Sequence, residues 1–363
     1  MSAWHKPQIN QNPQSSLHEY WVDYLRCIAC LQVVAIHTTA YQHDLLKSSI
    51  LYTYLGYVIH MAINLFFIIS GYVLIQKYVG RISSYTAYYK KRTRRVLWPY
   101  FSFSLLYISM RILIEHGGTY SLKTVEYVPF HMGQVLRNLL CAGAAMHLYF
   151  LVSIYILYLL FPLVRVICRN RWSSLSLLFI YCLLNPLLLN IYKGWGLNLP
   201  EPDMLRSAIV GMKYFLVGIN LYWFRPIVWN FLEEWGMIIF IGFFVIAVYL
   251  RFYTPSSYND LAAYSLILSY LILSIFLGKY RLQLVKWFSE LTLGIYLIHQ
   301  PILANIVNKM VRCLPRLIPP NVLLNPWGIQ IIFFMSVVTA SCIMIMIIKK
   351  LKVLNFLMFG ECP

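Results

Sequence analysis

The sequence predicts an all-α polytopic membrane protein of about ten membrane-spanning helices, with both termini cytoplasmic and a central cavity. Three observations predict this class. Of the 363 residues, 60% are hydrophobic and 12% are charged, and the mean hydropathy is +0.65, whereas a soluble domain carries about 25% charged residues. Apolar stretches long enough to cross a bilayer recur along the chain. Lysine and arginine concentrate in alternate connecting segments.

The apolar stretches give the predicted elements in order. A polar cytoplasmic segment, 1–19, precedes a single transmembrane domain, 20–352, and a short tail, 353–363, follows it. The first stretch shows no small-residue cleavage site, so we expect it to remain as an anchor. The predicted spans lie at 24–42, 54–76, 96–114, 138–164, 173–192, 207–224, 235–250, 261–278, 287–308 and 328–348.

The distribution of positive charge predicts the orientation. If the N-terminus is cytoplasmic, the cation-rich segments at 77–95, 165–171, 279–286 and 349–352 all lie on the cytoplasmic side. The formal net charge of +18 therefore follows from membrane topology and from anionic lipid headgroups. We expect membrane lipids and no nucleic acid among the partners.

The cysteines predict neither a disulfide framework nor a metal site. Six of the eight lie within apolar spans or at their ends. Cys27 and Cys30 form a C-x-x-C pair, but no second pair of Cys or His residues nearby completes a zinc site. We expect them to be packing residues. The outer segments 115–134 and 193–206 contain Gly and Pro, and they are predicted to be ordered loops or short re-entrant pieces that border the cavity.

Arg26 and His37 are the strongest catalytic candidates. They lie eleven residues apart in the first span, so a helix places them on one face and about 16 Å apart along its axis. Ionisable residues at membrane depth are costly and mark functional sites. A neutral imidazole, with an ordinary pKa near 6.5, can take a proton from a hydroxyl. Asp23 lies one turn before Arg26 and can hold it. The alternative is that Arg26 reaches the headgroups and His37 bonds a neighbouring helix.

A second candidate site is the basic loop that ends in KKRTRRVLWPY, residues 90–100. Arg92 and Arg95 are one turn apart, so they can bind the same polyanion, and their planar guanidinium groups suit phosphate. Lys91 is a further phosphate candidate. The alternative is a stop-transfer cluster that holds two spans in place. A polar side chain inside an apolar run either lines the cavity or makes an interhelical hydrogen bond, as for Asn64, Ser70, His147 and His299.

Five motifs in order resemble one family. They are R-x10-H (Arg26, His37), FFIISGY (66–72), R-x-x-R followed by WP (Arg92 to Pro99), HLYFL (147–151) and IYLIHQP (295–301). Gly71 within the second motif is predicted to be a close-packing position. Together the motifs resemble membrane acyltransferase family 3, bacterial enzymes that O-acylate cell-surface glycans. The opening segment DYLRCIACLQVVAIHTT is most similar to the subgroup that contains the enterobacterial common antigen O-acetyltransferase.

The resemblance implies an integral O-acetyltransferase of the bacterial cytoplasmic (inner) membrane. It implies transfer from cytoplasmic acetyl-CoA, a co-substrate and not a tightly bound cofactor, to a hydroxyl of a cell-surface or lipid-linked glycan. It further implies His37 as the essential histidine, Arg26 as the essential arginine, and Arg92 and Arg95 as the pair that holds the donor. HLYFL lacks the acidic residue that follows it in several members, so no catalytic acid is transferred.

The motifs leave several alternatives open. His37 is expected to act as a general base, but an acyl-histidine relay is equally compatible with the residues. A transporter or flippase of a glycan or lipid-linked saccharide would use similar helices, aromatic residues and buried polar groups. The motifs do not specify the acceptor glycan, the acyl chain length, the partner that orients His37 or the oligomeric state.

Overall fold

The computed structural model describes residues 19–41, 43–116, 132–196, 203–300, 304, 306–310 and 326–360. This part of the chain consists of helices and turns and contains no strand. The predicted N-terminal segment and most of the two predicted outer loops lie outside the described residues. The α-helices are α1 Tyr20–Tyr41, α2 His43–Leu46, α3 Ile50–Ile59, α4 Ala62–Tyr78, α5 Tyr85–His116, α6 Met132–Leu140, α7 Tyr149–Ile167, α8 Arg171–Gly194, α9 Met204–Tyr253, α10 Asn259–Gly278, α11 Gln283–Ile298, α12 Pro326–Lys350 and α13 Lys352–Phe359.

Six helical segments of the described part are long and apolar enough to cross a membrane. They confirm the all-α membrane class, while the count of ten spans and the orientation of the termini stay predictions. The six segments are Ile50–Tyr78, Met146–Ile167, Arg171–Gly194, Met204–Tyr253, Ser256–Gly278 and Trp327–Lys350.

Two predicted boundaries are wrong. The span predicted at 138–164 is interrupted, because α6 ends at Leu140 and a turn at 141–145 leads into a 3-10 turn at 146–148 before α7 begins. Ala142 in that turn has a φ of 58°, which no helix accommodates. The basic loop is also shorter than predicted, because α5 begins at Tyr85 and its cations therefore lie on a helix.

Helix α9 contains 50 residues and folds back on itself. Lys213 donates to the Tyr264 hydroxyl at 2.9 Å, and Arg251 donates to Asn259 at 2.8 Å. In a straight helix Lys213 and Arg251 would be about 57 Å apart, yet their partners are only about 7.5 Å apart along α10. The helix must therefore reverse between them, near Pro226, which removes a backbone hydrogen bond. The spans predicted at 207–224 and 235–250 are its two arms.

Helix α1 lies at the centre of the bundle and packs against α4, α10, α11 and α12. It runs antiparallel to α3 and α4, as two contacts show. The rings of Trp21 and Tyr72 are 4.6 Å apart, and Gln32 donates to the carbonyl of Val58 at 3.5 Å. Residue numbers rise along α1 from Trp21 to Gln32, whereas those of the partners fall from Tyr72 to Val58.

Helix α11 runs parallel to α1. The thiol of Cys27 lies 3.5 Å from the carbonyl of Val285, and the thiol of Cys30 lies 3.7 Å from the carbonyl of Thr292. Continuing both helices by seven residues at the same rise brings His37 and His299 to the same depth in the bundle. Parallel packing thus aligns the first predicted motif with the last.

The prediction that Gly71 is a close-packing position is confirmed. A Cβ atom built on Gly71 would overlap the carbonyl oxygen of Phe215 in α9 and lie 2.9 Å from its carbonyl carbon. A Cβ on Gly218 would overlap the carbonyl oxygen of Ile68 in the same way. The backbones of α4 and the first arm of α9 therefore touch, as small residues allow in membrane bundles.

Candidate active site

A basic cavity of about 880 Å³ lies at the end of the bundle where α1 begins. Cations from three helices line it, and Glu290 is the one acidic lining residue in the part of the chain that the structure describes. Such an excess of positive charge suits an anionic ligand. The cationic lining residues are Arg26, Lys90, Lys91, Arg94, Arg95 and Lys349.

The helical start of α5 places four of these cations on one face. Lys90 and Arg94 are four residues apart, as are Lys91 and Arg95, so each pair lies on adjacent turns. The cations are exposed and crowded, and the neighbouring Lys77 together with Arg95 lowers the pKa of Lys91. An anionic ligand would relieve that repulsion.

Helix α13 forms one wall of the basic cavity, through Phe359 and Gly360. Its last carbonyl groups have no partner within the helix. Trp98 of α5 donates to the carbonyls of residues 356 and 357 at 3.1 and 3.0 Å, and Ser102 donates to the carbonyl of residue 357 at 2.7 Å. Arg94 donates to the carbonyl of Gly360. The predicted tail therefore contains a helix that fixes the face of α5 carrying the cations.

Arg26 lies where the basic cavity meets a second, narrow cavity, because it lines both. Its guanidinium group is 3.6 Å from the carboxylate of Asp23, one turn earlier. Asp23 is buried and also accepts a hydrogen bond from Ser289 of α11 at 2.7 Å. This arrangement holds Arg26 at the junction while about a third of its side chain stays exposed.

The narrow cavity has a volume of about 260 Å³ and leads from Arg26 and Arg95 toward the middle of the bundle. It is lined mainly by apolar and aromatic residues, together with three arginines and the hydroxyl groups of Ser70 and Thr292. The Ser70 hydroxyl lies 3.1 Å from that of Tyr158. The side chains that line it beyond Arg26 and Arg95 include Phe66, Ser70, Val73, Arg92, Phe150, Ile154, Tyr158, Leu293 and Tyr296.

Arg92 does not lie beside Arg95 in the basic cavity. Arg92 faces the interior of the bundle instead and is 7% exposed, although it and Arg95 both line the narrow cavity. Its guanidinium carbon lies 5.4 to 5.8 Å from the ring centroids of three tyrosines, which makes cation–π contacts. The three tyrosines are Tyr78, Tyr88 and Tyr158.

Three histidines meet beyond Tyr296, and we call them the histidine cluster: His37 of α1, His147 of the 3-10 turn before α7, and His299 after α11. The ring centroids are 5.1 Å apart for His37 and His299, 5.2 Å for His147 and His299, and 6.3 Å for His37 and His147. The Tyr296 ring, which lines the narrow cavity, lies 5.5 Å from that of His147. The narrow cavity therefore extends to a wall of the cluster.

Two members of the cluster are fixed by backbone hydrogen bonds. His147 is 4% exposed, and its Nε2 lies 3.3 Å from the carbonyl of Leu297. His299 is fully buried, and its Nδ1 lies 3.1 Å from the carbonyl of Ile295. Each ring donates one N–H to a carbonyl, so its second nitrogen carries a lone pair. In the described part of the chain, those second nitrogens have no hydrogen-bond partner. His37 is half-buried and faces both rings.

A model of the acyltransferase domain of acyltransferase family 3 matches residues 19–346. The chain belongs to acyltransferase family 3. It is therefore an acyltransferase, as the motifs predicted, and the assignment to the enterobacterial common antigen subgroup stays a prediction. Comparison with curated proteins and with solved structures gave no match.

The acyltransferase brings most of the predicted site residues together. Arg26, Lys91 and Arg95 line the basic cavity, and Ser70 and Arg92 line the narrow one. Asp23 holds Arg26, and His147 and His299 pack against His37. Asn64 is apart from this group, because it lines neither cavity and its amide lies 4.0 Å from the sulfur of Met61.

Several site residues of the acyltransferase escaped the sequence analysis. Lys90 and Arg94 were used only to predict the orientation of the chain in the membrane. They are four residues apart, so on a helix they would share a face with Lys91 and Arg95. Lys349, too, was used only to predict the orientation. Phe359 and Gly360 lie beyond residue 346, where the family match ends, and no local pattern marks them as part of a cavity.

Proposed function

We propose that this acyltransferase moves an acetyl group from cytoplasmic acetyl-CoA to a hydroxyl of a cell-surface or lipid-linked glycan, in a bacterial inner membrane. One observation carries the proposal. A cation-lined cavity continues, through Arg26 and Arg95, into a narrow, largely apolar cavity whose lining residue Tyr296 packs against His147 and His299 of the histidine cluster. This shape suits a donor with an anionic head, a thin flexible arm and a reactive group at its tip.

The donor would bind with its phosphates in the basic cavity. Lys90, Lys91, Arg94 and Arg95 present their charges on one helical face, and guanidinium groups bind phosphate oxygens in pairs. The pantetheine arm would then occupy the narrow cavity, whose apolar lining matches it. Arg26, about 16 Å below His37 along α1, would anchor the arm at the junction rather than contact the thioester.

His37 would act as the general base. The acceptor hydroxyl attacks the thioester carbonyl while its proton passes to the free imidazole nitrogen of His37. The new C–O bond forms, the C–S bond breaks, and the thiolate of CoA takes the proton back from the imidazolium. No net proton is gained or lost, so the neutral cluster needs no acidic residue to complete the cycle.

His147 and His299 would orient His37. Their second nitrogens are lone-pair acceptors in a dry environment, and unmade hydrogen bonds of buried polar groups are costly. An N–H of His37 directed at either one would leave its other nitrogen free to accept the proton. This assigns to the two later histidines the role that a carboxylate serves in Ser-His-Asp triads.

Acetyl-CoA binding and acetyl transfer in lipid nanodiscs test the proposal. We expect His37→Ala to bind acetyl-CoA normally and to lose transfer of labelled acetyl to a lipid-linked saccharide extract. The exposed His43 is the matched control, and His43→Ala should retain both properties. Conversely, Lys91→Gln combined with Arg95→Gln should weaken acetyl-CoA binding at least tenfold, whereas Arg171→Gln, an exposed cation in neither cavity, should not.

The same measurements separate this proposal from a transporter or flippase. A transporter of saccharides has no need of acetyl-CoA, so well-folded protein that neither binds acetyl-CoA nor transfers acetyl would overturn the donor assignment. Binding of acetyl-CoA that survives the double substitution would instead show that the donor uses another surface.

A further inference from the structure

A third cavity, of about 280 Å³, lies near the opposite end of the bundle from the basic cavity. It is formed where α3 meets the end of α9, and the acetyl donor proposed above makes no use of it. Its lining residues in the described part of the chain include one arginine, one histidine and two aromatic rings, and none of them is acidic. The lining residues are Thr53, Gly56, Tyr57, His60, Arg251 and Phe252.

Arg251 gives the third cavity its charge. Its side chain is held by Asn259, which accepts a hydrogen bond at 2.8 Å, and its guanidinium carbon lies 5.8 Å from the ring of Tyr57 and 5.9 Å from that of Phe252. Asn259 is neutral, and within the described residues Arg251 has no ion-pair partner, so its positive charge is positioned without being neutralised there. A guanidinium group held in this way offers its remaining N–H groups to a carboxylate or phosphate.

The polar groups beside Arg251 suit a hydroxyl-rich ligand. The hydroxyl of Tyr57 is buried and has no hydrogen-bond partner within the described part of the chain. His60 is exposed at the rim, with its Nδ1 bonded to the carbonyl of Gly56, which leaves Nε2 available. A buried hydroxyl without a partner costs free energy that a ligand can recover. Aromatic faces with a few convergent polar groups are typical of ligand pockets.

The position of the third cavity relates it to the histidine cluster. Gln32 meets Val58, and α1 and α3 run in opposite directions, so Thr53 lies at about the depth of His37.

Exposed tyrosines surround this end of the bundle. Tyr249 and Tyr253 stack at 5.9 Å, and Tyr54 pairs with the hydroxyl of Tyr253 at 3.2 Å. Such tyrosines mark the level of lipid headgroups. The cavity therefore opens where the polar head of a lipid-linked molecule would lie.

We propose that the third cavity binds one anionic, hydroxyl-bearing ring of the size of a monosaccharide, with Arg251 on its carboxylate or phosphate and Tyr57 on a hydroxyl. The inference rests on the proposed function, because there it becomes the subsite that holds an acidic unit of the acceptor while a neighbouring hydroxyl reaches His37. The same chemistry could be offered by the headgroup of an anionic phospholipid.

The test uses full-length protein in nanodiscs of zwitterionic phosphatidylcholine, with D-glucuronate as the probe and D-glucose as its neutral match. We expect glucuronate to raise the melting temperature and glucose to leave it unchanged. Arg251→Gln and Tyr57→Phe should reduce glucuronate affinity at least tenfold and about threefold, respectively. Arg206, an exposed cation outside the cavity, supplies the control Arg206→Gln, which should bind as the wild type does.

A second arm identifies the source of the ligand. If the ligand is a saccharide, nanodiscs that contain phosphatidylglycerol should raise the melting temperature of the wild type no more than that of Arg251→Gln. If phosphatidylglycerol, and not glucuronate, raises the melting temperature only when Arg251 is present, the saccharide assignment is overturned. Equal binding of glucuronate by wild type and Arg251→Gln would overturn the site itself. Acetyl-CoA binding, measured on the same samples, should be unchanged in Arg251→Gln, so failure of this site is distinguishable from failure of the donor assignment.

Discussion

Substituting Gly71 by alanine tests the packing that positions the narrow cavity. Gly71 follows Ser70 and lies five residues after Phe66, both of which line that cavity, and it touches the backbone of α9 at Phe215. Any movement of α4 away from α9 therefore shifts a wall of the candidate active site.

The magnitude follows from the contact geometry. A Cβ on Gly71 would lie 2.9 Å from the Phe215 carbonyl carbon, whereas ordinary van der Waals contact begins at 3.4 Å, so the two helices must separate by at least 0.5 Å (3.4 minus 2.9). Overpacking of this kind costs about 1–3 kcal/mol, and the obstacle here is rigid backbone. Alanine recovers about 0.5–1 kcal/mol through its preference for helix. Because the rigid obstacle favours the upper end of the overpacking cost, about 3 kcal/mol, the net expectation is a loss of about 2 kcal/mol.

Thermal unfolding in matched nanodiscs measures the effect. Gly71→Ala and Gly218→Ala should each lower the melting temperature by several degrees and reduce transfer activity. Gly242 supplies the control, because it lies on the same α9, and a Cβ there would meet nothing within 4 Å. Gly242→Ala should leave the melting temperature unchanged or raise it. If all three variants melt alike, the backbone contact between α4 and α9 is not present in the folded protein.

Three further outcomes follow from the donor cavities. Raising the salt concentration from 0.1 to 1 M shortens the Debye length from about 10 to about 3 Å. The KM for acetyl-CoA should therefore rise, while kcat at saturating donor stays constant. A KM that does not depend on salt would contradict binding of the donor by exposed cations. Gly360→Val should raise the KM for acetyl-CoA several-fold in steady-state transfer assays. Gly360 has a φ of 65°, and a Cβ there would meet Trp98 at 3.0 Å. An unchanged KM would show that α13 is not part of the donor site. Arg92→Lys should lose at least tenfold in kcat/KM, because an ammonium cannot replace a planar guanidinium among three tyrosine rings; wild-type activity in this variant would show that the charge alone suffices.

The fold was predictable from the sequence where it depends on local composition. Apolar runs and cation-rich connections gave the membrane class and most span positions, and even the two arms of α9 appeared as two stretches separated by polar residues. The prediction was wrong where composition suggested a loop. The segment between Lys77 and Arg95 holds seven cations and no acid, and it was predicted to be a loop between two spans. Helix α5 nevertheless begins at Tyr85, because lysine and arginine are good helix formers and the segment leads directly into an apolar helix.

The sequence paired Arg92 and Arg95 by their spacing of one helical turn, and both line the narrow cavity, although only Arg95 also lines the basic cavity. Spacing along a helix does not reveal which other side chains each group packs against. Arg92 faces Tyr78 and Tyr158 of other helices as well as Tyr88, one turn earlier on α5, and local spacing reveals only Tyr88. The histidine cluster shows the same limit, since His147 and His299 are more than a hundred residues from His37 and only parallel packing of α1 and α11 aligns the last of them.

The choice between direct transfer and an acyl-histidine relay follows from how the ligands reach the cluster. A relay is needed when donor and acceptor cannot be bound together, because the acyl group must then wait on the enzyme. Here Tyr296 lines the narrow cavity and packs against the histidine cluster, and the third cavity lies on α3 and α9, so the two proposed ligands would not compete for space. Direct transfer is therefore expected, and without acceptor the enzyme should not exchange labelled CoA into acetyl-CoA. Rapid exchange that is abolished in His37→Ala would contradict this reasoning, because only an acylated enzyme can return its acetyl group to a second molecule of CoA.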